Sequence, residues 1–119
     1  IALCTFTDWS TKVYKGTPDG KTKSVETGLT AILGLVFDKQ ERMYVLETTT
    51  WKRNEGEDTT PGSGKIVRVN PDGSKEVIAT GLSNPTSMAY GPDGNLYVLN
   101  WGFGAAAGGG EILKVTLKH

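Results

Sequence analysis

The strongest constraint on this chain is that it repeats itself. Residues 12–47 align without a gap onto residues 65–100 at an offset of 53 positions. Pro18-Asp19-Gly20 falls on Pro71-Asp72-Gly73, Thr27-Gly28-Leu29 on Thr80-Gly81-Leu82, and Tyr44-Val45-Leu46 on Tyr97-Val98-Leu99. With Lys12 on Lys65, ten of the 36 positions are identical. Elsewhere character is kept: Val25 meets Ile78, Leu35 meets Met88, Phe37 meets Tyr90 and Met43 meets Leu96. A third copy opens at Gly110-Glu111-Ile112-Leu113-Lys114-Val115, which follows Gly64-Lys65-Ile66-Val67-Arg68-Val69. A repeat of this length marks a supersecondary unit that cannot bury its apolar faces alone and stacks on its neighbours.

Each copy reads as four short strands, most legibly in the second, where they cover 65–69, 76–80, 86–90 and 96–100. Asn70-Pro71-Asp72-Gly73 and Gly91-Pro92-Asp93-Gly94 are tight turns, with proline presetting φ and glycine accepting a positive one. Residues 30–47 of the first copy also fit an amphipathic helix. The matching stretch of the second copy holds Pro85, Gly91, Pro92 and Gly94, and each interior proline costs a helix about 3 kcal/mol. Strand, turn, strand is therefore expected in both copies. Met43-Tyr44-Val45-Leu46 and Leu96-Tyr97-Val98-Leu99 are apolar at every position. A sheet with one wet face alternates, whereas blades stacked around an axis are covered on both sides. The expected fold is all-β: two four-stranded antiparallel β-propeller blades plus an extra strand, within or assembling into a larger ring. The expected divisions are a lead-in strand in 1–11, one blade in 12–64, a second in 65–110, and the first strand of a further blade in 111–119.

Composition removes most common chemistries. The 119 residues carry 13 Lys+Arg against 13 Asp+Glu, so no cationic excess is present to bind nucleic acid or an anionic membrane. No apolar run is long enough to span a bilayer. The single cysteine, Cys4, forms no intrachain disulfide and no Cys-x-x-Cys site, and the single histidine is the last residue, His119. A Ser-His-Asp or Cys-His constellation would depend on a chain terminus. The chain opens at Ile1 rather than Met, which suggests a processed or trimmed start.

The run from Gly64-Lys65-Ile66 through Pro71-Asp72-Gly73-Ser74, Ile78-Ala79-Thr80-Gly81-Leu82 and Asn84-Pro85-Thr86-Ser87-Met88-Ala89 to Gly91-Pro92-Asp93-Gly94-Asn95-Leu96-Tyr97-Val98 resembles the NHL and SMP-30-like six-bladed propellers. Within them it is most similar to the ScyD/ScyE family of secreted bacterial propellers. The resemblance covers residues 64–116 strongly and 12–47 less so. It implies a ring of about six blades, and hence partners that are further copies of this chain or further blades of a longer one. It also implies an extracellular or periplasmic location.

The same resemblance implies that the longer connections, 28–33, 48–64, 81–85 and 101–110, share one face, opposite the tight turns. Trp51 and Trp101 lie on these loops and Trp9 precedes the first copy. Their indoles either stack on a sugar or aromatic ligand or plug gaps between blades. Asn84 and Asn100 join Trp51 and Trp101 as candidate ligand-binding residues. Glu47 and Asn100 occupy matching positions and, with Asn84, Glu55, Glu57 and Asp58, offer the hard oxygens that calcium takes. Strand-end capping explains the same residues. Asp19, Asp72 and Asp93 recur too regularly for catalysis and are expected to accept from turn amides. The glycine-rich run 102–110 lacks the Lys-Ser/Thr and following helix of a phosphate cradle. The expected function is a non-catalytic binding and assembly module presenting loops 48–64 and 101–110 to a small molecule, glycan or protein. The alternative is a divalent-metal-assisted hydrolase or lactonase with Glu47 or Asp58 as general base.

Overall fold

The computed structural model describes residues 2–4, 12–26, 29, 31–49 and 62–117. Among them are ten strands and no helix: β1 (Ala2–Cys4), β2 (Lys12–Gly16), β3 (Thr22–Glu26), β4 (Ile32–Phe37), β5 (Met43–Glu47), β6 (Gly64–Val69), β7 (Lys75–Leu82), β8 (Ser87–Tyr90), β9 (Leu96–Asn100) and β10 (Glu111–Val115). The segment that fits a helix by spacing is thus β4, a turn and β5. All pairings are antiparallel, in three sheets ordered β1-β2-β3, β4-β5-β6-β7 and β10-β9-β8.

The strands group differently from the sequence copies. In place of two four-stranded sheets there is one, flanked by two of three strands, and each sheet boundary falls in the middle of a copy. The four-stranded sheet takes β4 and β5 from the first copy and β6 and β7 from the second. The reason lies in the connections. Gly81 near the end of β7 and Asn84 between β7 and β8 adopt left-handed φ of 77° and 45°, and Pro85 has no amide to donate to a ladder. Ala31, which aligns with Asn84, repeats the left-handed turn ahead of β4 with φ of 50°. The chain leaves one sheet and enters the next at both places. The connection 48–63 is long, yet it joins paired strands, because lengthening a loop raises its closure cost only logarithmically. Register then follows from apolar cross-strand partners, with Leu46 opposite Ile66, Val45 opposite Val67 and Met43 opposite Val69.

Four tight turns share one geometry. The amides of Gly20, Glu41, Gly73 and Gly94 donate to the carbonyls of Thr17, Asp38, Asn70 and Gly91 at 2.9–3.0 Å. Each donating residue has positive φ, 87°, 62°, 88° and 84° respectively. Glu41 alone of the four has a side chain there, and it is exposed. A left-handed non-glycine residue costs about 1–2 kcal/mol, and glycine returns about 0.5–1 through unfolded-state entropy. Glu41→Gly is expected to raise unfolding stability by about 0.5–1 kcal/mol, read as a higher urea midpoint at unchanged slope. A lower midpoint would mean that the Glu41 side chain makes a contact worth more than the strain.

The core lies between sheets. Leu29, Ile32, Met43, Val45, Val67 and Val69 form one cluster on one side of the central sheet. On its other side, Tyr44, Leu46, Ile66 and Leu82 pack with Met88, Leu96, Val98 and Leu117. All five residues of β5 are buried, as a strand covered on both faces requires. In β9 only alternate residues are, with Leu99 exposed.

Candidate functional site

Because the sheets are meanders, the connections 48–63, 83–86 and 101–110 emerge from one end of the strands and the tight turns from the other. At the loop end the polar residues are buried: Glu47, Thr48, Thr49, Asn84 and Asn100. Glu47 and Asn100 hold equivalent places at the ends of β5 and β9, each opposite a cross-strand neighbour. Glu47 Oε1 lies 3.9 Å from Lys65 Nζ. Asn100 donates Nδ2 to Glu111 Oε1 at 2.9 Å and accepts the Ser83 amide on Oδ1 at 2.8 Å. One repeat position thus carries an ion pair in the central sheet and an amide–carboxylate pair in the third. Both residues act as strand-end ties, and no group of three or more His, Cys, Asp or Glu poised for a metal occurs among the described residues. Trp51, Glu55, Glu57 and Asp58 lie outside the described residues, as does Trp9.

Asn84, Asn100 and Trp101 do come together. The Trp101 amide donates to Ser83 O at 2.8 Å and the Gly102 amide to Asn84 O at 3.1 Å. Trp101 is left-handed, with φ of 54°, which turns the chain back over Asn84. Gly102 packs so tightly on the Thr86 side chain that a methyl group has no room there. Thr48 Oγ1 donates to Pro85 O and ties the central sheet to this connection. Under the turn, Asn84 Nδ2 reaches Phe103 O at 3.4 Å. Asn84 Oδ1 is buried without a donor among the described residues. An unmet buried acceptor of this kind costs about 1–3 kcal/mol. Above it, residues 102–110 are exposed, Phe103 included.

The tight-turn end holds a second constellation that sequence reading missed. Asp38 is buried and accepts from the Gln40 amide at 2.9 Å, the Arg42 amide at 2.9 Å, Arg42 Nε at 2.7 Å and the Tyr44 hydroxyl at 3.0 Å. Burial pushes its pKa up, but the Arg42 amide and side chain, the Tyr44 hydroxyl and the Gln40 amide together outweigh it and hold the carboxyl below its usual range. Tyr44 is raised in turn, by burial first and then by Asp38. In the third sheet the equivalent Tyr97 donates instead to Asp93, at 2.5 Å, which lowers Asp93 and raises Tyr97. Gly91 stands where the first copy has Asp38, and a Cβ there would sit 2.5 Å from the Tyr97 ring. The two copies therefore anchor one tyrosine hydroxyl from two different turn positions. The signal was present as the Asp38-Lys39-Gln40-Glu41 departure from Pro-Asp-Gly. Between these turns runs an open groove of about 250 Å³, bordered by Asp38, Gln40, Tyr90, Pro92 and Asp93. Its carboxylates are occupied by the turns themselves. Asp19, Asp72 and Asp93 each accept an amide two residues on, as expected of structural aspartates.

No helix among the described residues is long and apolar enough to cross a membrane. Compared with protein-family models, with curated proteins and with solved structures, the chain finds no match.

Proposed function

We propose that this chain is a non-catalytic binding and assembly module of β-propeller type, secreted to an extracellular or periplasmic space, whose loop face takes a hydroxyl-rich small molecule or glycan. The all-β meander of antiparallel sheets with the loops at one end supports the architecture. The observation that carries the binding reading is the buried Asn84 Oδ1 with no donor among the described residues, roofed by a turn that holds Trp101 and Phe103 and continues into a glycine-rich loop. When that roof lifts, the acceptor meets a ligand hydroxyl while the aromatic rings offer apolar surface to a sugar face. The carboxylate of Glu47, the candidate general base of a hydrolase, lies 3.9 Å from the Lys65 ammonium.

Asn84→Gly tests this, since glycine keeps the left-handed φ and removes the acceptor. The variant is expected to be as stable as the parent or more so, by up to about 1 kcal/mol, and to lose binding to a panel of uncharged disaccharides. Binding is read as a ligand-induced rise in melting temperature. Undiminished binding by the variant would overturn the assignment of Asn84. Calcium-dependent stabilisation, reversed by EDTA and accompanied by lactone hydrolysis, would replace the binding reading with a metal-assisted one.

A further inference from the structure

The repeat makes it possible to ask, position by position, what should cover each sheet. One face of the central sheet carries Tyr44, Leu46, Ile66 and Arg68, and its apolar residues are buried against the third sheet. The repeat places Tyr97, Leu99, Ile112 and Lys114 on the corresponding face of the third sheet, with Leu99 directly opposite Ile112. Ile66 and Leu46 are both 0% exposed, whereas Ile112 and Leu99 are 72% and 37% exposed. The same apolar surface is thus covered once and bare once. The opposite face of the third sheet already meets the central sheet through Met88, Leu96 and Val98, the equivalents of Leu35, Met43 and Val45.

We infer that the Leu99–Ile112 face is a docking surface for a second copy of this chain, stacked head to tail through its β1-β2-β3 sheet. This deepens the assembly half of the proposed function and rests on that reading. Repetition of the internal contact is the argument for this occupant. The face that meets Leu46 and Ile66 comes from a sheet presenting the alternate positions, and in the first sheet the corresponding β2 positions are Tyr14 and Gly16, which align with Val67 and Val69. The basic residue of the docking face recurs as Lys15, Arg68 and Lys114 in the three sheets. In the covered contact Arg68 pairs with Glu76, and on the bare face Lys114 lies 3.4 Å from Asp93. Both charges therefore sit where a neutralised rim is already built. Such a contact joins unlike surfaces, so copies continue until a rotation closes them into a ring.

The test is sedimentation equilibrium of the whole chain and of Ile112→Glu over the micromolar range. The parent is expected to form species larger than a dimer, and Ile112→Glu to weaken association at least tenfold. Because Ile112 is exposed, the variant should keep its far-UV circular dichroism and its saccharide-induced melting shift. In a Cys4→Ser background, mixing Ile112→Cys with Tyr14→Cys chains should give a disulfide-linked heterodimer. A monomeric parent, or linkage of Ile112→Cys chains to one another in preference to the mixed pair, would overturn the head-to-tail contact. Saccharide binding retained by a monomeric parent would sink this contact alone, whereas assembly without saccharide binding would sink only the loop-face site.

Discussion

Replacing Asp38 by alanine lowers unfolding stability by about 3 kcal/mol or more, the expected result for removing one partner of a buried charged pair. Its carboxylate joins two turn amides, the Arg42 guanidinium and the Tyr44 hydroxyl, and its side chain is 1% exposed. Arg42 is exposed enough to recover part of its hydration, which places the loss toward the lower end of the 3–5 kcal/mol range for such pairs. Asparagine in its place keeps the shape and loses the charge. The pH dependence follows from the sign of the shift. Asp38 is depressed below the ordinary carboxylate value of 3.8, so as pH falls the folded state binds its proton later than the unfolded chain does. Its contribution is fully present above about pH 5 and is lost as pH falls below about 4 toward the folded value. Asp19, Asp72 and Asp93 are depressed as well, but they are exposed and screened by solvent, so Asp38 is expected to dominate the loss of stability in acid. Asp38→Asn should be less stable at pH 7 but lose stability less steeply below pH 4, so that the two curves converge. Parallel curves in urea titrations at stepped pH would show that Asp38 does not titrate with folding.

The second large effect contrasts two isoleucines that the repeat makes equivalent. Ile66→Ala should cost about 2–5 kcal/mol, as for a large-to-small change in a packed core, since Ile66 is fully buried between the central and third sheets. Ile112→Ala, at the same position one repeat later, should change the stability of the dilute chain by less than about 0.5 kcal/mol. Its effect should emerge only as concentration rises, as a lost increment of melting temperature in the assembled state. Equal losses at nanomolar concentration would mean that Ile112 is covered within a single chain.

Strand existence and turn chemistry were legible because their causes are local. Proline, aspartate and glycine at 18–20, 71–73 and 92–94 dictate a left-handed hairpin turn wherever they stand, and an apolar pair such as Val45 and Val98 needs burial in any β arrangement. The repeat also exposed the false helix over 30–47, because an aligned copy containing Pro85 and Pro92 has no helical solution. What escaped notice had distributed causes. The anchoring of Tyr44 by Asp38 and of Tyr97 by Asp93 uses different turn positions, so aligning the copies hides the common bond instead of revealing it. The burial of the Asn84 side chain depends on a turn at 101–104 that lies across the chain, and a single asparagine in sequence cannot disclose what its carbonyl meets.

Local chemistry alone was enough to establish an all-β chain and two copies of one strand-turn pattern. Which strand pairs with which needed the folded chain. Ladder hydrogen bonds run between backbone groups that are the same in every residue, so the break at Asn84-Pro85 and the bridging of the long 48–63 connection were settled by cross-strand packing of Leu46 on Ile66 and Val45 on Val67. For the same reason only the assembled sheets separate Leu46 from Leu99. The two are identical in type and in repeat position, and whether a neighbouring sheet lies over each is a property of the whole molecule.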